Sequence, residues 1–228
     1  MPTALELQVL GTSFAVAVRA VVFALPFAIA CAYVLSRPRF PGHTVIDVLA
    51  HMPLVLPPVL IGFLLLLAFG RRSPVGAWLE QTFGLQLAFT TEGAALATAI
   101  MTFPLMVRAM RLSFEATDAR LLEAAALLRA PPSDRFWSIA LPLAAPGILA
   151  GAATAFAAGL GQFGAVITFA SNVPGETQTL PLAIYSAMQA PGGEERAMRL
   201  AIYSLVLALL GLGLAEALQR WARRRLDL

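Results

Sequence analysis

The sequence predicts an all-α polytopic membrane protein, and three observations carry that reading. Charged residues make up only 13% of the 228-residue chain, against 59% hydrophobic residues; a soluble domain carries about twice that charge. Mean hydropathy is +0.78. Several apolar runs reach the roughly 20 residues that a helix needs to cross the hydrocarbon core. The opening residues, MPTALELQ, hold Glu6 and no basic group. They lack the n-region of a cleaved signal peptide, so the first apolar run is expected to stay as an anchor.

Five spans are expected. The first covers 10–35 and holds Arg19 and Pro26. The second covers 45–69, where Pro53, Pro57 and Pro58 kink or reset the helix. At its start Asp47 and His51 are four apart and share a face, which reads as a structural contact, with His43 beyond it. The third opens at TTEGA, where Thr91 is expected to cap and Glu92 suits the positive helix N-terminus; it ends near Val107. The fourth runs from about Ile139 to Leu160 and the last from about Ala197 to Leu218. No charge interrupts the 32 residues of 139–170, a length of about 48 Å as one helix against a core of ~30 Å. Gly159, Gly161 and Gly164 signal a break, which leaves 161–170 either re-entrant or a sixth span. The stretch SNVPGETQTLP reads as a turn-rich loop.

Charge sets the orientation. All sixteen basic residues are arginine. Eleven fall in 36–44, 108–137 and 219–228, four in 1–9, 70–91 and 161–199, and Arg19 lies inside a span. The positive-inside rule then places the N-terminus in the periplasm and the C-terminus in the cytoplasm. The same clustering explains the basic pI through topology, without nucleic acid. With no lysine, the chain cannot form a G-x-x-x-x-G-K-[ST] phosphate loop, so ATP, if it drives the work, is bound by another subunit. The single Cys31 excludes an intrachain disulfide, and no spacing suits a metal site. Neither a nucleophile elbow nor a paired-carboxylate arrangement argues for an enzyme.

One polar segment stands apart. Asp118 can cap a helix beginning ARLLEAAALL, in which Leu121, Leu122, Ala125 and Leu128 share one face. Ala130 precedes Pro131 and Pro132, so the helix must stop there. Ser133 or Asp134 can cap a second helix leading into the fourth span. Two short helices joined by a sharp break form a rigid knob outside the lipid, suited to docking. Within the membrane, Arg19 either faces a cavity, where its donors suit a tetrahedral oxyanion, or snorkels to the interface.

The segment 123–142 resembles the EAA loop of ABC importer permeases: Glu-Ala-Ala, three residues, glycine, nine residues, then Ile-x-Leu-Pro. Glu123, Ala124, Ala125, Ile139, Leu141 and Pro142 fall at that spacing, while Arg129 takes the glycine position. The Ala-Pro-Pro that follows is expected to supply the break instead. The segments FPG at 40–42, MPLVLPPVLIGFLLL at 52–66, MTFPLMVRAMRL at 101–112 and ITFASNVPGETQTLP at 167–181 extend the likeness to permease subunits of bacterial molybdate importers.

The resemblance implies a type I ABC importer permease (MetI-like) fold of five or six spans, with 1–228 as one transmembrane domain and 117–142 as its coupling loop. Glu123, Ala124, Ala125, Leu128, Arg129, Ile139, Leu141 and Pro142 would meet the ATPase. It further implies a homodimer in the inner-membrane lipid, two ABC ATPase subunits that bind ATP and Mg²⁺, and a periplasmic oxyanion-binding protein. This chain itself would hold no cofactor. Arg19 and Gln162 are the candidate anion-pathway residues; Gln162 stands where the family favours glutamate. Sulfate/thiosulfate and tungstate permeases are neighbouring readings. A secondary transporter is disfavoured because no internal repeat is visible.

Overall fold

The computed structural model describes residues 3–37 and 40–225; Arg39 of the first arginine-rich loop and the chain ends at 1–2 and 226–228 lie outside the described residues. Helix α1 (Ala4–Leu35) starts six residues before the expected span because Thr3 closes a reciprocal cap. Its hydroxyl accepts from the Glu6 amide at 3.3 Å, and the Glu6 carboxylate accepts from the Thr3 amide at 2.8 Å. This arrangement satisfies two amides that a helix start leaves open. The second span is two helices, α2 (His43–Val55) and α3 (Pro58–Phe69), bent by 114°. Pro57 and Pro58 cause the break, since neither can donate to the preceding turn.

A short helix α4 (Pro74–Phe83) follows, then α5 (Thr91–Glu115). Thr90, one residue before the expected Thr91, is the cap of α5; its hydroxyl accepts from the Gly93 amide at 3.1 Å. The helix also runs eight residues past Val107, because Arg108 and Arg111 leave the lipid without leaving the helix. Arg111 bridges Asp47 on α2 at 3.2 Å and Glu115 at 2.7 Å. Asp47 also meets His51 at 3.2 Å, so the expected contact is part of a clamp between α2 and α5. His43 is buried with its Nε2 3.0 Å from the Leu35 carbonyl.

Two short helices, α6 (Ala119–Leu127) and α7 (Pro132–Arg135), lead through a π turn at Phe136–Ala140 into α8 (Leu141–Leu160). The 132–160 run is helical throughout, so the fourth span begins earlier than Ile139. The expected break follows at 161–163. Helix α9 (Gly164–Ala170) has seven residues, about 10 Å of rise, too short to cross a membrane. After the 171–179 loop, α10 (Leu180–Gln189) returns beside α1, where the Leu180 amide donates to the Ser13 hydroxyl at 2.7 Å. Helix α11 (Glu194–Arg225) closes the chain. Counting the bent pair as one, five elements among the described residues are long and apolar enough to span.

The centre is α1, α5 and α8 packed at backbone distance. On α1 the buried face is a column of small residues, Ala17, Ala20, Ala24, Ala28 and Ala32. Against it lie Met106, Val107 and Met110 of α5 and Ala144 and Ala155 of α8. In lipid no hydrophobic force draws helices together, so small side chains that let backbones approach hold the bundle. At Gly147 on α8 a β-carbon would sit 2.2 Å from the Ser113 β-carbon of α5. The outer faces of α1 and α11 carry exposed Phe23, Phe27, Leu205 and Leu209, which suits acyl chains. At one end, Arg199 of α11 reaches fully buried Glu6 at 3.2 Å and ties the last helix to the first.

Gly147→Ala should therefore destabilise the bundle by about 1–3 kcal/mol, the usual cost of overpacking, seen as earlier thermal unfolding of the purified protein. Gly213→Ala, where nothing lies within 4 Å, should leave unfolding unchanged or later.

Candidate functional site

The elbow at 117–142 is built from local chemistry. The Asp118 carboxylate accepts from the Arg120 amide at 2.9 Å and starts α6, as its position predicts. Only Ala125 is buried on this helix, with Leu122 half-buried beside it. Leu121 and Leu128 do not share that inward face: Leu128 is 83% exposed and Leu127 85%. Leu121, at the start of the helix, is 48% exposed as well, so the inward face of α6 is narrower than the apolar stripe.

The end of α6 corrects the expected role of Ala-Pro-Pro. Arg129 itself adopts left-handed backbone, with φ +62°. The Ala130 amide reaches back to the Ala125 carbonyl at 3.0 Å, and the Arg129 amide to the Ala126 carbonyl at 2.9 Å. This pair of bonds is a Schellman cap, which normally has glycine at the left-handed residue. The prolines act one step later: Pro131 is extended and Pro132 opens α7. Neither Ser133 nor Asp134 caps α7, since no side chain bonds to its start. Asp134 instead accepts from the Ser138 hydroxyl at 2.8 Å.

Aromatic rings fasten the elbow to the bundle. Phe136 of the π turn meets Tyr33 of α1 edge-on, with centroids 4.7 Å apart. Tyr33 meets Phe114 of α5 at 5.4 Å. The Arg37 guanidinium lies 4.3 Å from the Tyr33 ring centroid and donates to its hydroxyl. Glu123 opens onto a cleft of about 610 Å³ shared with Tyr33, Arg37, Glu115 and Arg135. Ala124 and Pro142 are exposed, and Ile139 and Leu141 are half-buried at the root of α8. The structure thus gathers the motif residues into one elbow. The Tyr33–Phe114–Phe136 clamp has no counterpart in the motif; its one sequence signal is an aromatic residue near the end of each segment.

At the opposite end of α1 and α5 lies a polar cleft of about 620 Å³, lined by Gln8, Thr12, Arg19, Thr90, Thr91 and Glu176. Arg19 donates to Glu92 at 3.1 Å and to the Thr91 hydroxyl at 3.4 Å. Both members of the ion pair are half exposed. Glu92, read from sequence only as a dipole partner, is the counter-ion of the intramembrane arginine. Gln162 sits in the break between α8 and α9, where its backbone N–H donates to the Gly159 carbonyl at 3.2 Å. It does not line the cleft that holds Arg19.

A bundle of spanning helices that carries a stiff, apolar elbow on one face and a polar cleft toward the other defines the membrane component of a coupled transport system. The family model for the binding-protein-dependent transport system inner membrane component matches residues 24–224, and the chain belongs to that family. It is 50% identical over 220 residues to the molybdenum transport system permease protein ModB of Escherichia coli (strain K12), covering 96% of each chain. The ModB of Haemophilus influenzae is 47% identical over 222 residues, covering 97% of each. Among solved structures, a chain of the MetNI methionine ABC transporter in inward-facing conformations superposes with TM-score 0.70 at 14% identity, over 95% of this chain and 94% of that one; the likeness shows a shared fold.

Left-handed backbone costs a residue with a β-carbon about 1–2 kcal/mol. Arg129→Gly should stabilise the assembled protein by about 1 kcal/mol, read as later thermal unfolding with transport intact, and Arg129→Val should destabilise it.

Proposed function

We propose that this chain is the permease subunit of an ATP-driven importer that carries molybdate across the bacterial inner membrane. It works as a homodimer with two ATPase subunits and a periplasmic oxyanion-binding protein, its N-terminus periplasmic and its C-terminus cytoplasmic. The observation that carries the reading is the exposed elbow at Leu127 and Leu128, set in a chain whose likeness to molybdenum permeases is nearly end to end. Two neighbouring leucines left in water on a surface outside the lipid suit a protein partner. The arginine bias toward the elbow face supports the orientation.

In this reading the ATPase supplies ATP chemistry, and this chain converts motion into access. Closure of the nucleotide-binding pair draws the two elbows together. Phe136 presses on Tyr33, and Tyr33 on Phe114, so α1 and α5 move with the elbow. Those two helices carry Arg19, midway along α1, and Glu92, at the start of α5, and the cleft between them receives the oxyanion. The anion's oxygens compete with the Glu92 carboxylate for the Arg19 guanidinium, which offers paired donors. Gln162, at the α8–α9 break, supplies an uncharged polar group further along. Glu92 keeps the hold on the anion weak, as passage requires.

Burying each leucine contributes roughly 2 kcal/mol. Leu127→Glu with Leu128→Glu should therefore weaken ATPase binding at least about a hundredfold, measured by co-purification and titration in detergent; undiminished assembly would refute the docking role. Arg19→Gln should slow molybdate uptake into proteoliposomes on the order of tenfold, the worth of one charge-assisted hydrogen bond. Unchanged uptake would remove Arg19 from the path.

A further inference from the structure

Helix α4 stands outside the bundle, joined to it mainly through α3. Its attachment is rigid. The Ser73 hydroxyl donates to the carbonyls of Ala68 and Gly70 at 2.7 and 2.8 Å, and accepts from the Gly76 amide at 2.9 Å. At Gly76 a β-carbon would lie 2.2 Å from the Gly70 carbonyl oxygen, so α4 folds directly onto the last turn of α3. That turn ends a helix whose Val59, Phe63 and Leu67 are exposed. Since α5 separates them, α4 lies on the membrane face opposite the elbow.

The outward side of α4 has the chemistry of a bilayer boundary. Val75, Trp78 and Phe83 are exposed, with Trp78 at 56% and Phe83 at 66%. The two rings pack edge-on at 5.4 Å. Gln81 and Thr82 are exposed on the same short helix. Arg71 is held by Glu80 at 3.0 Å, whereas Arg72 has no ion-pair partner among the described residues. A tryptophan with an apolar body and a polar N–H, next to a free arginine, matches the level of lipid headgroups, where aromatic residues collect and arginine meets phosphate.

We infer that α4 is an interfacial helix, lying in the headgroup layer of the leaflet opposite the elbow with Val75 and Trp78 in the acyl boundary and Arg72 on lipid phosphate. It rests on the membrane setting alone and holds whatever the cargo. Its consequence is mechanical: the outer end of α3 is tethered to the bilayer surface, so α9, which packs on α3, has a fixed wall to move against.

The test uses the assembled complex in phosphatidylcholine nanodiscs, with a spin label at Val75→Cys or Gln81→Cys in a Cys31→Ser chain. The two positions lie about 120° apart around the helix. Collisions with oxygen should exceed those with a water-soluble nickel chelate by about threefold at 75, with the reverse at 81. Chelate excess at both sites overturns the inference, and so does oxygen excess at both. Immobilisation of the label at 75 only when a substrate-binding protein is added assigns the face to protein, and also overturns it. Without cysteine variants, the emission difference between native and Trp78→Phe complexes should fall by roughly half in bromine-labelled lipid; no fall counts against the inference.

Discussion

Everything in this structure depends on how closely α1, α5 and α8 approach one another. Lipid gives helices no hydrophobic reason to associate, so cohesion must come from surfaces small enough to bring backbones together. The alanine column of α1 and Gly147 on α8 supply such surfaces. A bundle packed in this way moves as a body, because a tightly filled contact has few intermediate arrangements. Tyr33 and Arg19 are 14 residues apart on α1, about 21 Å along one helix. In the proposed mechanism, α1 is the lever that carries a push at the aromatic clamp toward the polar cleft.

The breaks are placed as deliberately as the rigid parts. Pro57 and Pro58 bend the second span, the 161–163 loop ends the fourth, and Arg129 turns the elbow. Of these, Arg129 is the one with a strained backbone and a residue poorly suited to it. Strain of this kind persists where surrounding structure over-determines the conformation. Here two capping hydrogen bonds on one side and Pro131 on the other leave Arg129 no alternative. The π turn at Phe136–Ala140 adds a residue-wide irregularity at the root of α8, a feature that recurs at functional positions in helices. Elbow and span are thus joined by a wound but imperfect segment, with Phe136 projecting from it onto Tyr33.

Much of this was legible in the sequence because membrane helices announce themselves by length and composition. The number of spans, the Asp118 cap, the glycine break after α8 and the elbow as a unit all follow from local rules. What was not legible depends on partners distant in the chain. Leu121 and Leu128 looked inward by helical periodicity, yet periodicity cannot see how little of α6 the bundle covers, which is Ala125 with Leu122 beside it. Glu92 sits 73 positions from Arg19, and no local rule connects them. The Ala-Pro-Pro reading failed for a different reason. Pre-proline restriction is real, but it acts on Ala130, and the helix had already closed at Arg129.

In the proposed anion path, the pairing of Arg19 with Glu92 suits passage over storage. An arginine alone in a low-dielectric setting would attract an oxyanion strongly and release it slowly. With the Glu92 carboxylate 3.1 Å away and Glu176 on the same lining, the Arg19 charge is offset, and in the proposed path an incoming anion gains its hydrogen bonds by competing with Glu92. Glu92 stays in the cleft when an anion enters, so the two repel, and in the proposed path the balance between them depends on the spacing of α1 and α5. Those are the two helices that the elbow grips through Tyr33 and Phe114. In the proposed mechanism, an ion pair bridging these two levers is where helix motion becomes a change of affinity.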